Sequence, residues 1–367
     1  MNDLEPARRF YQATLRAARA AGLAGHVPAL LVRFGLPGLM SRIEVDPPVT
    51  LDPALFRVQQ LRHALLEEQA LRVAASLSAA GVQHFFAKGV ALLGRPYRPG
   101  DRLLADMDVY VRPDDRERAT RVLESLLYRR LPEWDQAGPA SMRSTLALER
   151  ESAHTIERCT VDLHWALDPV ERILPRRDRP VPERVWRSLQ TGGPLTRPHP
   201  EHHAAILVHH LVHTDLLHVR GLLDLAFVFQ EMRADAGGEY LATCALLRVG
   251  RCAAELAHLV ARDLGVVRPG AMTEGAAPKL TLEGWLTLVA QSRPDDDGAM
   301  TVARLHRRLR LVDRGGLPTL GADLLFPPAA FLRWRWPGRN LLDATLRHYR
   351  QLARKALARR MPVGQRE

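Results

Sequence analysis

Between Leu51 and Ala80 the apolar residues Leu61, Leu65, Leu66, Ala70, Val73 and Leu77 recur at helical spacing, which predicts an amphipathic helix closed by the glycine of Ala79-Ala80-Gly81. The pattern then changes. Val82 to Ala87 is short, apolar and aromatic, as a buried strand is, and Asp106-Met107-Asp108-Val109-Tyr110-Val111 alternates polar with apolar residues at the strand period of two. Pro113-Asp114-Asp115 opens a helix predicted to run to about Leu127, with acids in its first turn. Thr145 to Arg150 and Thr155 to Trp165 alternate as two further strands, which would complete a small sheet.

Beyond Asp168 the spacing of Pro169, Pro175, Pro180 and Pro182 reads as a surface connection. Helical patterns dominate after Pro200: Glu201 to His213, Arg220 to Arg233, Tyr240 to Leu264, Leu282 to Gln291 and a basic one from Asn340 to Arg359. Residues 269–279 and 294–298 have the composition of exposed loops, and no internal repeat is visible. The expected fold class is therefore α/β of the α+β kind, a small mixed sheet with helical additions. Its expected parts are an N-terminal helical segment at 1–80, a core at 81–190 and a helical C-terminal domain at 191–367.

With 367 residues, 46% hydrophobic and 25% charged, the chain has the composition of a folded globular protein of two domains or of one domain with large additions. Cys159, Cys244 and Cys252 lack metal-ligand spacing and cannot all pair, which predicts a reducing, cytoplasmic setting. The N-terminus does not read as a signal peptide, and the best apolar stretch, Leu216 to Phe229, contains His218, Arg220 and Asp224 and falls short of the ~20 residues of a membrane span. A net charge of +11 raises polyanions as partners, yet of 52 cationic residues only Lys88, Lys279 and Lys355 are lysines, a skew that codon bias also produces. That rarity draws attention to Lys88, which stands beside Gly89.

Strand alternation places Asp106, Asp108 and Tyr110 on one face and Met107, Val109 and Val111 on the other. The two carboxylates are about 6.6 to 7 Å apart at the backbone, near enough to converge on one or two hard cations. In Thr160-Val161-Asp162-Leu163-His164-Trp165 the same alternation separates Asp162 and His164 from an apolar face. If the two strands are neighbours, Asp162 supplies a third carboxylate to a cluster whose repulsion a divalent metal would relieve. Asp-x-Asp alone is a weak signal, since solvated strand faces carry it too. Upstream, His84-Phe85-Phe86-Ala87 runs into Lys88-Gly89 and then Val90-Ala91-Leu92-Leu93, a strand, glycine turn and helical start of the kind that accepts phosphate.

Phe86-Ala87-Lys88-Gly89-Val90-Ala91-Leu92, Tyr97-Arg98-Pro99-Gly100-Asp101-Arg102, Asp106 to Val111 and Val161 to Trp165 together resemble the uncharacterised nucleotidyltransferase family, within the DNA polymerase β-like nucleotidyltransferase superfamily. The resemblance continues through His209, His213, Arg220 and Asp224 and covers most of the chain. It implies a nucleotidyltransferase core in which Gly89 opens the nucleotide-binding helix, Asp106 and Asp108 bind two magnesium ions (manganese being the alternative) and Asp162 adds the third carboxylate. The implied reaction transfers a nucleoside monophosphate from an NTP such as ATP to a hydroxyl acceptor, a small molecule, peptide or protein. Val90 departs from the serine or glycine that usually follows the glycine in the superfamily. Lys88 and Arg102 are the positions from which that lost phosphate contact would be replaced.

His209, His210 and His213 have the four-residue step of a zinc peptidase helix but lack its glutamate, so a structural role, with Arg220 and Asp224 as partners, is the expectation. The stretch from Arg333 to Arg360 is basic and bears Trp334 and Trp336; a solvated helix face is favoured there over peripheral membrane contact. Two other functions stay open, an inactive nucleotide-binding relative acting as a partner protein and a basic nucleic-acid-binding protein, although no nucleic-acid motif is visible.

Overall fold

The computed structural model describes residues 4–43, 45–46, 48–49, 52–104, 106–131, 145–151, 158–167, 179–214, 218–267, 281–291, 329, 332–333 and 336–357. Helices α1 (Glu5–Ala20), α2 (Val27–Arg33), α3 (Pro37–Arg42) and α4 (Pro53–Ala79) precede the sheet. Asp52 caps α4, its carboxylate accepting a 2.8 Å bond from the Ala54 N–H, and Pro53 takes the first helical position, where no N–H is needed.

The sheet consists of β1 (His84–Ala87), β2 (Asp106–Val111), β3 (Arg129–Arg130), β4 (Thr145–Glu151) and β5 (Arg158–His164), with α5 (Arg116–Ser125) between β2 and β3. Its order is β1-β2-β5-β4-β3, and only the β2–β5 pair is parallel. The expected mixed α+β architecture is therefore present. Alternation splits the sheet into two faces with different partners. Phe86, Met107, Val109, Val111, Val161 and Leu163 are buried against Leu66, Val73 and Leu77 of α4 and Leu123 of α5. From the other face, Phe85, Ala87 and Tyr110 join the core of the helical region.

That region comprises α6 (Glu183–Arg187), α7 (Pro200–His213), α8 (Arg220–Glu231), α9 (Gly237–Leu246), α10 (Gly250–Leu264), α11 (Leu282–Gln291) and α12 (Leu341–Leu357). The N-terminal helix α1 packs on α10 and α11. The pattern from Tyr240 to Leu264 predicts one helix, but the chain breaks there into α9 and α10. Arg248 adopts a left-handed φ of 60°, and the Val249 N–H reaches back to the Cys244 carbonyl at 2.9 Å, a closure that uses the carbonyls a continuing helix would need. The predicted loops at 269–279 and 294–298 lie outside the described residues. No helix among the described residues is long and apolar enough to cross a membrane. Cys159, Cys244 and Cys252 are free and buried.

Candidate active site

Register brings the aspartates together. In the parallel β2–β5 pair Asp108 stands opposite Asp162, and Asp106 opposite Thr160. The rung through Asp108 and Asp162 is continued by Ala87 of β1 and Ala147 of β4. Both alanines are fully buried, so no larger side chain crowds the acids from either side. The next rung carries Phe85, Tyr110, His164 and Thr145. Here Phe85 stacks on Tyr110 at 4.9 Å and Tyr110 on His164 at 4.5 Å, both nearly parallel, which fixes the imidazole plane. Thr145 Oγ1 lies 2.7 Å from His164 Nδ1, leaving Nε2 at 2.9 Å from Asp108 Oδ1.

The three carboxylates do not share one electrostatic state. Burial opposes ionisation of Asp108, but the Lys88 ammonium, 2.5 Å from Oδ1, and the His164 contact outweigh it and hold this carboxyl below the usual carboxylate range. Asp162 has no hydrogen-bond partner among the described residues, and burial together with Asp108 and Asp106 pushes it up to about 7. Asp106 is raised by burial and by Asp108, against the pull of Lys88, Arg220 and Arg102. Ligand atoms of Asp108, Asp162 and His164 all lie within 4.8 Å of one another. Oxygen-rich donors with unrelieved repulsion suit a hard divalent cation, and one imidazole is compatible with manganese as well as magnesium. The residues therefore fit the metal that the resemblance implies. His164 was legible as the residue two beyond Asp162 on the same strand face, yet the sequence reading assigned it no role.

The glycine turn differs from its expectation. Gly89 is followed by a single 3-10 turn, Val90–Leu92, after which Leu93 is extended and Gly94 left-handed. Pro96, lacking an N–H, closes the route to a longer helix, so no full helix dipole faces the site. Gly89 itself has an ordinary helical φ of −59°. What demands glycine is Arg102: a Cβ at position 89 would stand 2.2 Å from Arg102 Nη1.

Arg102 is anchored away from solvent. Its Nε and Nη2 donate to Asp224 of α8 at 3.2 and 2.9 Å, and the Tyr97 hydroxyl donates to the same carboxylate at 2.7 Å. Asp224 thus ties the β1–β2 connection to the helical region, whereas the sequence reading offered it to the histidines. Of the described cations that line the cleft, Lys88 and Arg102 are paired with carboxylates and Arg220 is not; Gly89, Asp106, Asp108, His210 and His218 line it too. The cleft, about 60 Å³, is the size of an ion with a water or two. Of the α7 histidines, His209 and His213 stack on each other at 6.4 Å, and it is His210 that faces the acids, its Nε2 3.2 Å from Nδ1 of His218. Burial and the surrounding cations Arg220 and Lys88 lower His218 to about 4; burial and Lys88 likewise lower His210, so both imidazoles are neutral at physiological pH.

No curated protein and no solved structure matches this chain. A family model described as an uncharacterised nucleotidyltransferase matches residues 11–265, which include the whole sheet, the aspartate cluster, α7 and α8. The chain belongs to the uncharacterised nucleotidyltransferase family.

Proposed function

We propose that this protein is a metal-dependent nucleotidyltransferase that moves a nucleoside monophosphate from an NTP to a hydroxyl acceptor. One observation carries the reading. Asp108 and Asp162 stand in register on adjacent parallel strands with Asp106 one strand period away, and only Asp108 is neutralised by a partner among the described residues. Asp108 and Asp162, with His164, would hold the divalent cation beside Asp106; when bound it neutralises phosphate charge and favours in-line displacement.

This chain's own groups have distinct parts in that reaction. Arg220 offers an uncommitted guanidinium to the triphosphate, a part that Arg102 can share only through the edge it turns to Gly89. Asp162 takes the proton of the acceptor hydroxyl. As that O–H bond breaks, the acceptor oxygen bonds to the α-phosphorus, the bond from phosphorus to the bridging oxygen breaks, and pyrophosphate leaves with the electron pair. Neutral His210 and His218 are placed to hydrogen-bond the acceptor or the sugar without adding charge.

A screen of the four NTPs with magnesium or manganese, following pyrophosphate release and label transfer to hydroxyl acceptors, tests the proposal. Turnover with at least one pair is expected. Val90 and the one-turn segment after Gly89 favour a second reading, an inactive nucleotide-binding relative. Triphosphate binding without turnover under every condition would establish it instead.

A further inference from the structure

Lys88 stands where few lysines do. Its backbone is left-handed, with φ 52°, a conformation that is unfavourable for a residue with a Cβ. Gly89, the neighbour better suited to that conformation, is instead helical. This backbone turns the side chain inward: it is 14% exposed, and Asp108 is its one hydrogen-bond partner among the described residues. Asp108 Oδ1 thereby receives both the ammonium and the His164 imidazole. A second divalent ion shared by Asp106 and Asp108 would compete for that oxygen.

The donor atoms tell the same story. Among the described residues the one group of three donors close enough to hold an ion is Asp108, Asp162 and His164, and Asp106 lies outside it. Asp106 is instead within electrostatic reach of Lys88.

We infer that Lys88 is a built-in cation occupying the place of a second metal between Asp106 and Asp108, so that the site works with a single divalent ion on Asp108, Asp162 and His164. This rests on the nucleotidyltransferase reading but makes its own claim, a count of ions. In that arrangement the ammonium acts on substrate phosphates as a fixed point charge, with two N–H groups beyond the one given to Asp108.

Manganous ion is the probe, titrated into the full chain alone and with each α,β-methylene nucleoside triphosphate. Bound metal is counted by calorimetry, and spin coupling is read by electron paramagnetic resonance. The wild type is expected to bind one uncoupled ion per chain with analogue present. Lys88→Met is expected to admit a second, spin-coupled ion, and Lys88→Arg to keep the count at one. Two coupled ions in the wild type overturn the inference while leaving nucleotidyl transfer intact, and no bound ion overturns both. A count that stays at one in Lys88→Met also overturns it; should that variant fail to fold, the wild-type count alone decides.

Discussion

The two faces of β2 and β5 share a backbone and differ in everything else. Toward α4 and α5, Met107, Val109, Val161 and Leu163 are fully buried among apolar partners. The opposite face carries Asp106, Asp108, Asp162 and His164, of which Asp106 and Asp108 line the cleft beside α7 and α8. The first face supplies the hydrophobic burial that stabilises the sheet. The second carries charges that repel one another in a half-enclosed cleft, and the rigidity of the first keeps them there. Stability and chemistry are separated by a single residue step along the strand.

That separation can be broken from either side. Asp108→Ala should reduce metal-dependent nucleotide transfer by roughly a thousandfold or more while leaving the circular dichroism spectrum unchanged. Asp224→Ala should cost about 4 kcal/mol of unfolding free energy, read by urea titration, because Arg102 would remain buried without its carboxylate. Leu148→Ala, on the apolar face of β4, should cost about 3 kcal/mol yet leave activity per folded molecule unchanged.

The smallest effect depends on pH. Asp162 titrates at about 7 in the fold against an ordinary 3.8, so between these values the folded chain holds a proton that the unfolded chain has released. Stability from this group is therefore present at acid pH and lost as pH rises toward 7. In the metal-free protein, Asp162→Asn should gain about 2 kcal/mol more over the wild type at pH 8 than at pH 5, and saturating manganese should reverse that advantage.

Much of the apolar face was legible, because alternation alone separates Met107, Val109 and Val111 from Asp106, Asp108 and Tyr110. The same period placed Asp162 beside His164. What alternation does not encode is which strands become neighbours. The Lys88–Asp108 contact follows from β1 pairing antiparallel with β2, so that Ala87 faces Asp108. Arg102 and Asp224 lie 122 residues apart, and no local pattern joins them. Local signals also misled where two of them competed. Val90 to Leu93 reads as a helix start, but Gly94 and Pro96 end it within one turn. Similarly, apolar spacing from Tyr240 to Leu264 outweighed the stop at Arg248.

The missing side chain of Gly89 has a mechanical consequence. Because Arg102 Nη1 fills the space a Cβ would take, and the same guanidinium grips Asp224, the turn beside the aspartates and helix α8 are geared together. A side chain at position 89 would therefore have to displace the guanidinium that holds Asp224, on the helix that also carries Arg220. Gly89→Ala would jam this gear without removing a single charged group.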